Sequence, residues 1–353
     1  MFTSVLLLIC FGLAEIYSVA LGRSQLDLLN FKKQIIFVVL GIVLLFVLAG
    51  FDYHSLRSYS KYFYVLGLIL LIGVLFFGQT INGTKGWYNL AGFNFQPVEL
   101  IKFILILFLA KYFSSTPLKT KDYKRLLISF SGALLFMVLV LAQPDFGSAS
   151  VLFLSWLSMI ILVGFNKKYF LVIGLILVIA FSGSWYFVLQ DYQKHRIITF
   201  LDPSFNPLSQ GYNVSQAIIA VGAGGLAGRG LGFGSQSQLK FLPEAQTDFI
   251  FAVVAEELGF SGVLLILLFF GIFFYRCLYY LKKVNNDFAI FFILGSVSLI
   301  FIEMFINIGM NLGILPVVGI SLPFLSYGGS GLISSLMLVG VIESIAIRSK
   351  INY

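Results

Sequence analysis

Residues 34–51 read QIIFVVLGIVLLFVLAGF, with Lys33 before them and Asp52 after them and no charged side chain between. As a helix, eighteen residues would reach about 27 Å, close to the roughly 30 Å hydrocarbon core of a bilayer. A helix on the surface of a soluble domain is apolar on one stripe only. This one is apolar all round, so its partner is lipid or other apolar helices. Nine further stretches have the same character, at about 2–20, 63–79, 97–113, 126–143, 146–164, 169–188, 248–275, 288–311 and 325–347. Over the 353 residues, 59% are hydrophobic and 11% are charged, where a soluble domain carries about 25% charged residues. The chain is therefore expected to be an all-α, polytopic integral membrane protein of about ten transmembrane helices, forming one membrane domain over 1–353. No basic segment precedes the first stretch and no small-residue cleavage site occurs before Glu15, so it reads as a retained helix rather than a removed signal.

Lys and Arg in the connections set the orientation. With the N-terminus inside, fourteen of the 23 fall in inner connections, eight in outer ones, and Lys102 within a span. Both termini are thus expected in the cytoplasm. The net charge of +8 then reflects topology and anionic membrane lipid, not nucleic-acid binding. Cys10 lies within the first span and Cys277 near the inner end of the eighth, so no disulfide is expected. His54 and His195 are isolated, no zinc spacing occurs, and no phosphate-binding G-x-x-x-x-G-K-[ST] sequence is present. The energy for any work must come from a substrate, an ion gradient or a partner.

The longest connection, about 190–247, precedes the eighth span and falls on the outer face. It holds Gln193-Lys194-His195-Arg196, the turn-rich 201–207 stretch and a Gly-rich apolar run from Ala217 to Gly234. That run is expected to form helices in the interface or dipping back, packed where their backbone finds partners. The connections 79–96 and 312–324 are also outer and concentrate Gly, Pro, Asn and aromatic residues. Charges within spans need an explanation, since each costs about 2.5–3.5 kcal/mol to insert. Glu99 and Lys102 share a helical face and are placed to pair. Glu15, Glu303 and Glu343 read as paired packing residues or an ion path, and Glu303, Asn307 and Asn311 form one polar stripe. Asp248 follows Thr247, a plausible N-cap, at the outer mouth of the eighth span. It can be a first-turn acid complementing the helix dipole or a functional carboxylate. Glu256 and Glu257 are expected roughly 12 Å deeper. The residues alone leave two classes open: a transporter or lipid flippase, and an enzyme acting on a lipid-linked substrate at the outer interface.

Phe241-Leu-Pro-Glu-Ala-Gln-Thr-Asp-Phe-Ile-Phe-Ala252, continuing to Ala255-Glu-Glu-Leu-Gly259, resembles the RodA/FtsW (SEDS) family. The likeness recurs in order at Phe95-Gln96-Pro97 with Glu99 and Lys102, Gln143-Pro-Asp-Phe-Gly147, Phe200-Leu-Asp-Pro203, Gly211-Tyr-Asn213 and Gln236-Ser-Gln238. It continues through Asn307-Ile-Gly-Met310, Leu315-Pro316, Leu322-Pro-Phe324 and Ser326-Tyr-Gly-Gly-Ser330. Ala255 before the paired glutamates is more similar to RodA, the elongation member, than to FtsW. Departures are Gly86 where the family usually has Arg, Val98 for Ser, Gln246 for His and Ser321 for Pro.

The resemblance implies a peptidoglycan glycosyltransferase of the bacterial plasma membrane that uses lipid II. It also implies a class B penicillin-binding protein as transpeptidase partner and work alongside the elongation machinery. An inverting displacement would join a GlcNAc 4-hydroxyl to the MurNAc anomeric carbon and expel undecaprenyl pyrophosphate. That leaving group departs as an anion, so the second, acidic carboxyl of an inverting glycosidase is not needed. Asp248 matches the family's essential aspartate and takes the place of general base. An aspartate at its ordinary pKa of about 3.9 is a weak base, so the chemistry requires a site that shields it. Substrate-binding candidates are Arg196 first, for bidentate phosphate contact, then Lys102, Lys85, Lys240, Glu99, Asp145 and Ser330. No dedicated metal-ligand spacing is evident. A divalent cation, Mg2+ or Mn2+, would arrive bridging the substrate pyrophosphate.

Overall fold

The computed structural model describes residues 1–22, 28–81, 83–90, 92–117, 121–187, 194, 198 and 210–351. Each of the ten apolar stretches is found on a long helix: α1 Phe2–Leu21, α2 Leu29–Gly50, α3 Tyr53–Phe77, α4 Pro97–Ser115, α5 Asp122–Leu141, α6 Phe146–Val163, α7 Lys167–Phe187, α10 Ile250–Leu281, α11 Asp287–Asn311 and α12 Gly329–Ile351. The long connection adds α8 Gln210–Gly224 and the short α9 Ser235–Gln238. Among the described residues eight helices are long and apolar enough to cross a membrane by length and composition. α4 carries Glu99, Lys102 and Lys111, and it is the most enclosed of the helices, with nearly every side chain from Pro97 to Ala110 buried. The outer helices show the reverse. α3 exposes Val65, Ile69, Ile72 and Phe76, and α7 exposes Leu171, Leu175, Val178 and Ile179. Apolar faces this continuous require a lipid neighbour. The bundle therefore has a protein-buried centre of α4, α6, α11 and α12 and a lipid-facing wall.

One departure from an all-α reading lies in the 79–96 connection. It folds as a small antiparallel sheet in the order β1 Gln79–Ile81, β2 Thr84–Leu90, β3 Phe93–Phe95, pairing Thr80 with Lys85 and Tyr88 with Phe95. Tyr88 Oη donates to the Leu70 carbonyl (3.0 Å) and Lys33 Nζ to the Gly92 carbonyl (2.8 Å), fastening the sheet to α3 and α2.

α10 is not one continuous span. Gly259 adopts φ 67°, ψ −163°, which splits it into an upper piece, 250–258, and a lower one, 260–281. The lower piece alone reaches about 33 Å, enough for the bilayer core, and exposes Leu264, Leu265, Leu268 and Ile272. Every side chain from Ile250 to Glu257 is buried. Glu256 and Glu257 are therefore not two turns inside a continuous span, as the sequence suggested; they stand at the break.

A helix broken in apolar surroundings leaves amide and carbonyl groups that must find partners. The chain between α8 and α9 supplies them. Phe260 N–H and Ser261 N–H donate to the Gly225 and Leu226 carbonyls (2.9 and 3.1 Å), while Arg229 and Gly230 N–H donate to the Glu256 and Glu257 carbonyls (3.1 and 2.8 Å). The two carboxylates hold the same loop from below. Glu256 accepts from Gln236 N–H (2.8 Å) and Ser237 N–H (3.1 Å), and Glu257 from Gly232 N–H (3.0 Å), Gln238 Nε2 (3.1 Å) and the Ser18 hydroxyl. The density of glycine follows from this splice. A Cβ at Gly224 would overlap the Ala255 carbonyl, and one at Gly228 (φ 77°) the Glu257 carbonyl. Glu343 also finds a partner, the Phe2 N–H (3.2 Å). Glu15 is buried beside a like group, the Glu257 carboxylate, and its oxygens accept from no N–H or hydroxyl among the described residues.

Gly228→Ala is expected to cost about 2–4 kcal/mol, combining a forbidden φ with overlap on backbone. Gly222→Ala, at a helical glycine of the same run with open space around its Cβ position, should be neutral or slightly stabilising. Thermal melts of both variants in one detergent check the difference.

Candidate active site

The turn before α10 presents Asp248. Thr247 does not cap the helix; its hydroxyl donates to the Glu244 carbonyl (3.2 Å) and carboxylate (3.0 Å). Helix α10 starts at Ile250, so Asp248 precedes its N-cap, Phe249, and is not a first-turn acid. What fixes Asp248 comes from the neighbouring elements. Three successive carbonyls are each gripped: Gln246 by Tyr327 N–H (2.8 Å), Thr247 by the Ser326 hydroxyl (2.7 Å), and Asp248 by both Asn307 Nδ2 (2.9 Å) and Asn311 Nδ2 (3.0 Å). Asn311 Oδ1 accepts the Ala252 N–H (3.1 Å) and so caps α10 from another helix. Asn307 Nδ2 reaches the Ile320 carbonyl as well (2.7 Å). The stripe Glu303–Asn307–Asn311 on α11 thus joins the Asp248 turn to the 312–328 connection. The Asp248 side chain is half-buried, and its Oδ2 faces Gly319, where a Cβ would lie 3.6 Å away.

One turn below Asn307, Glu303 meets Lys102. Lys102 Nζ donates to Glu303 Oε1 (2.6 Å) and Glu99 Oε1 (2.8 Å), so the predicted Glu99–Lys102 pair is a triad across α4 and α11. A cleft lined by Glu99, Glu303, Ser321, Ser326, Gly328 and Gly331 opens onto it. Ser326 is the residue that grips Thr247, which places the triad and the Asp248 turn on two sides of the same loop. Phe324 in this loop is buried at φ 67° and packs on Phe270 and Phe273; a non-glycine residue held there stores strain that the packing must offset.

Asp145 is the N-cap of α6, accepting from Ser148 N–H (2.9 Å) and the Ser148 hydroxyl (2.8 Å). Burial pushes its carboxyl above the ordinary carboxylate range, against the pull of those two bonds and of the Lys102 charge. Gln96 Nε2 lies 3.5 Å from Asp145, and Gln96 N–H donates to the Ser330 hydroxyl (2.9 Å). Glu99, Lys102, Asp145 and Ser330 therefore belong to one polar network at the end of the bundle where α4, α6, α10 and α12 begin. The side chains of Lys85 on β2 and of exposed Lys240 make no hydrogen bond or ion pair among the described residues and stay apart from it. Arg196 lies outside the described residues.

Sequence reasoning read Glu303 as a packing residue or part of an ion path, and placed Ser326, Gln96 and Gln143 in motifs of the resemblance without naming them as substrate-binding residues. Gln143 Nε2 is buried without a hydrogen-bond partner among the described residues, and its Oε1 stands 3.3 Å from where a Cβ of Gly86 would be. The i, i+4 spacing of Glu303 and Asn307 was the one available signal, and it could not say which helix the stripe faces.

A polytopic helical membrane protein with a polar, carboxylate-bearing cleft at one end of a broken-helix bundle is the class this geometry defines. The chain belongs to the FtsW/RodA/SpoVE family, whose model, described as cell cycle protein, matches residues 1–351. It is 37% identical to stage V sporulation protein E of Bacillus subtilis, over 98% of this chain and 95% of that one. It is also 37% identical to peptidoglycan glycosyltransferase MrdB of Escherichia coli, over 93% of this chain and 89% of that one. Among solved structures it is similar to a chain from a peptidoglycan synthase complex that coordinates polymerization and crosslinking (TM-score 0.82, 28% identity, covering 98% and 96%). It is likewise similar to the rod shape determining protein RodA of Thermus thermophilus (TM-score 0.72, 26% identity, covering 98% and 95%).

Lys102→Met leaves two buried carboxylates facing each other and is expected to cost about 3–5 kcal/mol. Glu303→Gln keeps the Glu99–Lys102 pair and should lose much less. Melting of the two variants in detergent orders them; equal losses would contradict the triad.

Proposed function

We propose that this chain is a peptidoglycan glycosyltransferase that polymerises lipid II. The observation that carries the reading is the immobilised Asp248 turn, gripped at three consecutive carbonyls with its carboxylate beside the loop that lines the Lys102 cleft. Catalysis by a positioned base depends on such fixation, because a misplaced group loses the near-attack geometry. Asp248 takes the proton of the acceptor GlcNAc 4-hydroxyl as that oxygen bonds to the donor MurNAc anomeric carbon. The bond from that carbon to the phosphate oxygen breaks on the opposite face, and undecaprenyl pyrophosphate leaves as an anion. Lys102 is a proposed cation below the cleft, its charge opposed by Glu99 and Glu303, and Arg196, Lys85 and Lys240 are further cations proposed for the pyrophosphate.

A divalent cation, Mg2+ or Mn2+, would arrive on the substrate pyrophosphate and neutralise part of its charge. Glu99 and Glu303 are already bonded to Lys102, and no group of three metal-ligating side chains stands together among the described residues. Residues 1–353 work here as a single membrane domain with the Asp248 face outward and both termini in the cytoplasm, the orientation supported by the Lys and Arg distribution. A class B penicillin-binding protein is the proposed partner; the likeness to a chain of a peptidoglycan synthase complex supports it. Ala255 and the likeness to RodA support a role in elongation rather than division.

The test is a gel of glycan products from fluorescent lipid II, given to the purified protein with and without that partner. Wild type should give ladders and Asp248→Asn should lose at least about 10²–10⁴-fold in rate, the usual worth of a general base. Ladders of equal strength from the folded variant would remove Asp248 from this role. No ladder from wild type with a competent partner would turn the reading toward lipid II transport. Asn311→Ala, which removes one of the two bonds to the Asp248 carbonyl and the side-chain acceptor of the Ala252 N–H, is expected to lower the rate about 10–100-fold with substrate affinity little changed.

A further inference from the structure

We propose that the end of the bundle opposite Asp248 holds a binding site for the phosphate of an anionic membrane phospholipid, built around Arg125. Arg125 is only 7% exposed, yet among the described residues its guanidinium makes no hydrogen bond and no ion pair. Its Nε is sealed from solvent without a partner; the terminal nitrogens of the fork, equally unbonded, are not sealed and reach the surface. A buried cation is ordinarily matched by a carboxylate, as Lys102 is. Here the neighbours do the opposite.

Arg125 closes the first turn of α5, whose N-terminal end already carries the positive pole of the helix dipole, where further cations are unfavourable. Lys121 and Lys124 beside it are exposed. Asp122, the acid in this turn, makes no ion pair with it. The walls are aromatic: the guanidinium carbon lies 5.3 Å from the centre of the Phe165 ring, and the Tyr112 phenol is within reach of its charge. On α4, the Tyr112 carbonyl is already taken by the Thr116 hydroxyl (2.6 Å) and N–H (3.1 Å), and the Lys111 carbonyl by the Ser114 and Ser115 hydroxyls. Among the described residues no carboxylate, hydroxyl or carbonyl accepts from the fork.

An anion from outside the chain completes the site, and a planar fork of donors suits phosphate oxygens. The surface one turn deeper decides for a lipid over a free ion. Leu127 and Ile128 on α5 and Ile161 and Leu162 on α6 are exposed, an apolar bed for acyl chains directly beneath the charged corner. Basic corners between membrane helices are known to suit anionic headgroups.

The test places the whole protein in nanodiscs of phosphatidylcholine alone or with phosphatidylglycerol, and compares wild type, Arg125→Gln and Arg125→Lys. Phosphatidylglycerol should raise the melting temperature of wild type and leave Arg125→Gln unmoved, with Arg125→Lys between them. In pure phosphatidylcholine, Arg125→Gln should melt at or above wild type, since it removes an uncompensated charge. Native mass spectrometry should find phosphatidylglycerol bound about tenfold more weakly by Arg125→Gln. An equal phosphatidylglycerol response in wild type and Arg125→Gln would overturn the site. Millimolar inorganic phosphate protecting wild type as well as the lipid does would overturn the lipid assignment. If Arg125→Gln does not fold, wild type retaining phosphatidylcholine and phosphatidylglycerol equally by mass spectrometry would do the same.

Discussion

Every unpaired peptide group inside an apolar protein or bilayer costs free energy, and the structure turns on one place where that cost is met by another segment. At Gly259 helix α10 stops and restarts. Its two exposed amides and two exposed carbonyls are all taken by residues 225–230. A continuous helix would place the Asp248 turn wherever the lipid-facing span happened to point. The break allows a lipid-facing lower piece to span the bilayer while the upper piece, wholly buried in protein, sets its own direction. The glycines around it follow, because each backbone approach excludes a side chain.

From that upper piece the Asp248 turn inherits a fixed position, and the asparagines of α11 lock it. Asn311 acts on both sides of the turn, donating to the Asp248 carbonyl and accepting the Ala252 amide. Two bonds from one side chain define an angle as well as a distance, which a single bond would not. The same α11 face carries Glu303 to Lys102. The Asp248 turn and Lys102 are thus both referenced to one helix. The cleft beside them is lined by residues of the 321–331 segment, which the same asparagine face holds at Ile320.

Much of this could be read from the chain before any coordinates. All ten apolar stretches fall on long helices, because composition alone excludes a soluble alternative at that length. The Glu99–Lys102 pair was legible from its i, i+3 spacing. The 217–234 run, expected to lie in the interface or dip back while packing on the bundle, does pack against α10. What escaped was set by tertiary partners. Gly259 reads like any other membrane-helix glycine, since nothing local announces that Phe260 N–H will bond to Gly225. Glu256 and Glu257 looked deeply buried in a span because an unbroken helix was assumed. Thr247 has the composition of an N-cap, but the Glu244 carbonyl and carboxylate compete for its hydroxyl, and Asn311 supplies the cap from a distance. Three short strands in the 79–96 connection were hidden among turn residues.

The splice at Gly259 is tested most directly by hydrogen exchange measured on the purified wild-type protein in nanodiscs. The amides of Phe260 and Ser261 begin a helix, and at an ordinary helix start they would have no intrahelical acceptor. Bonded to Gly225 and Leu226, they should exchange as slowly as amides in the middle of α10, together with those of Arg229 and Gly230. Fast exchange at Phe260 and Ser261, with slow exchange only from the next turn onward, would contradict the account and leave the placement of Asp248 without its foundation.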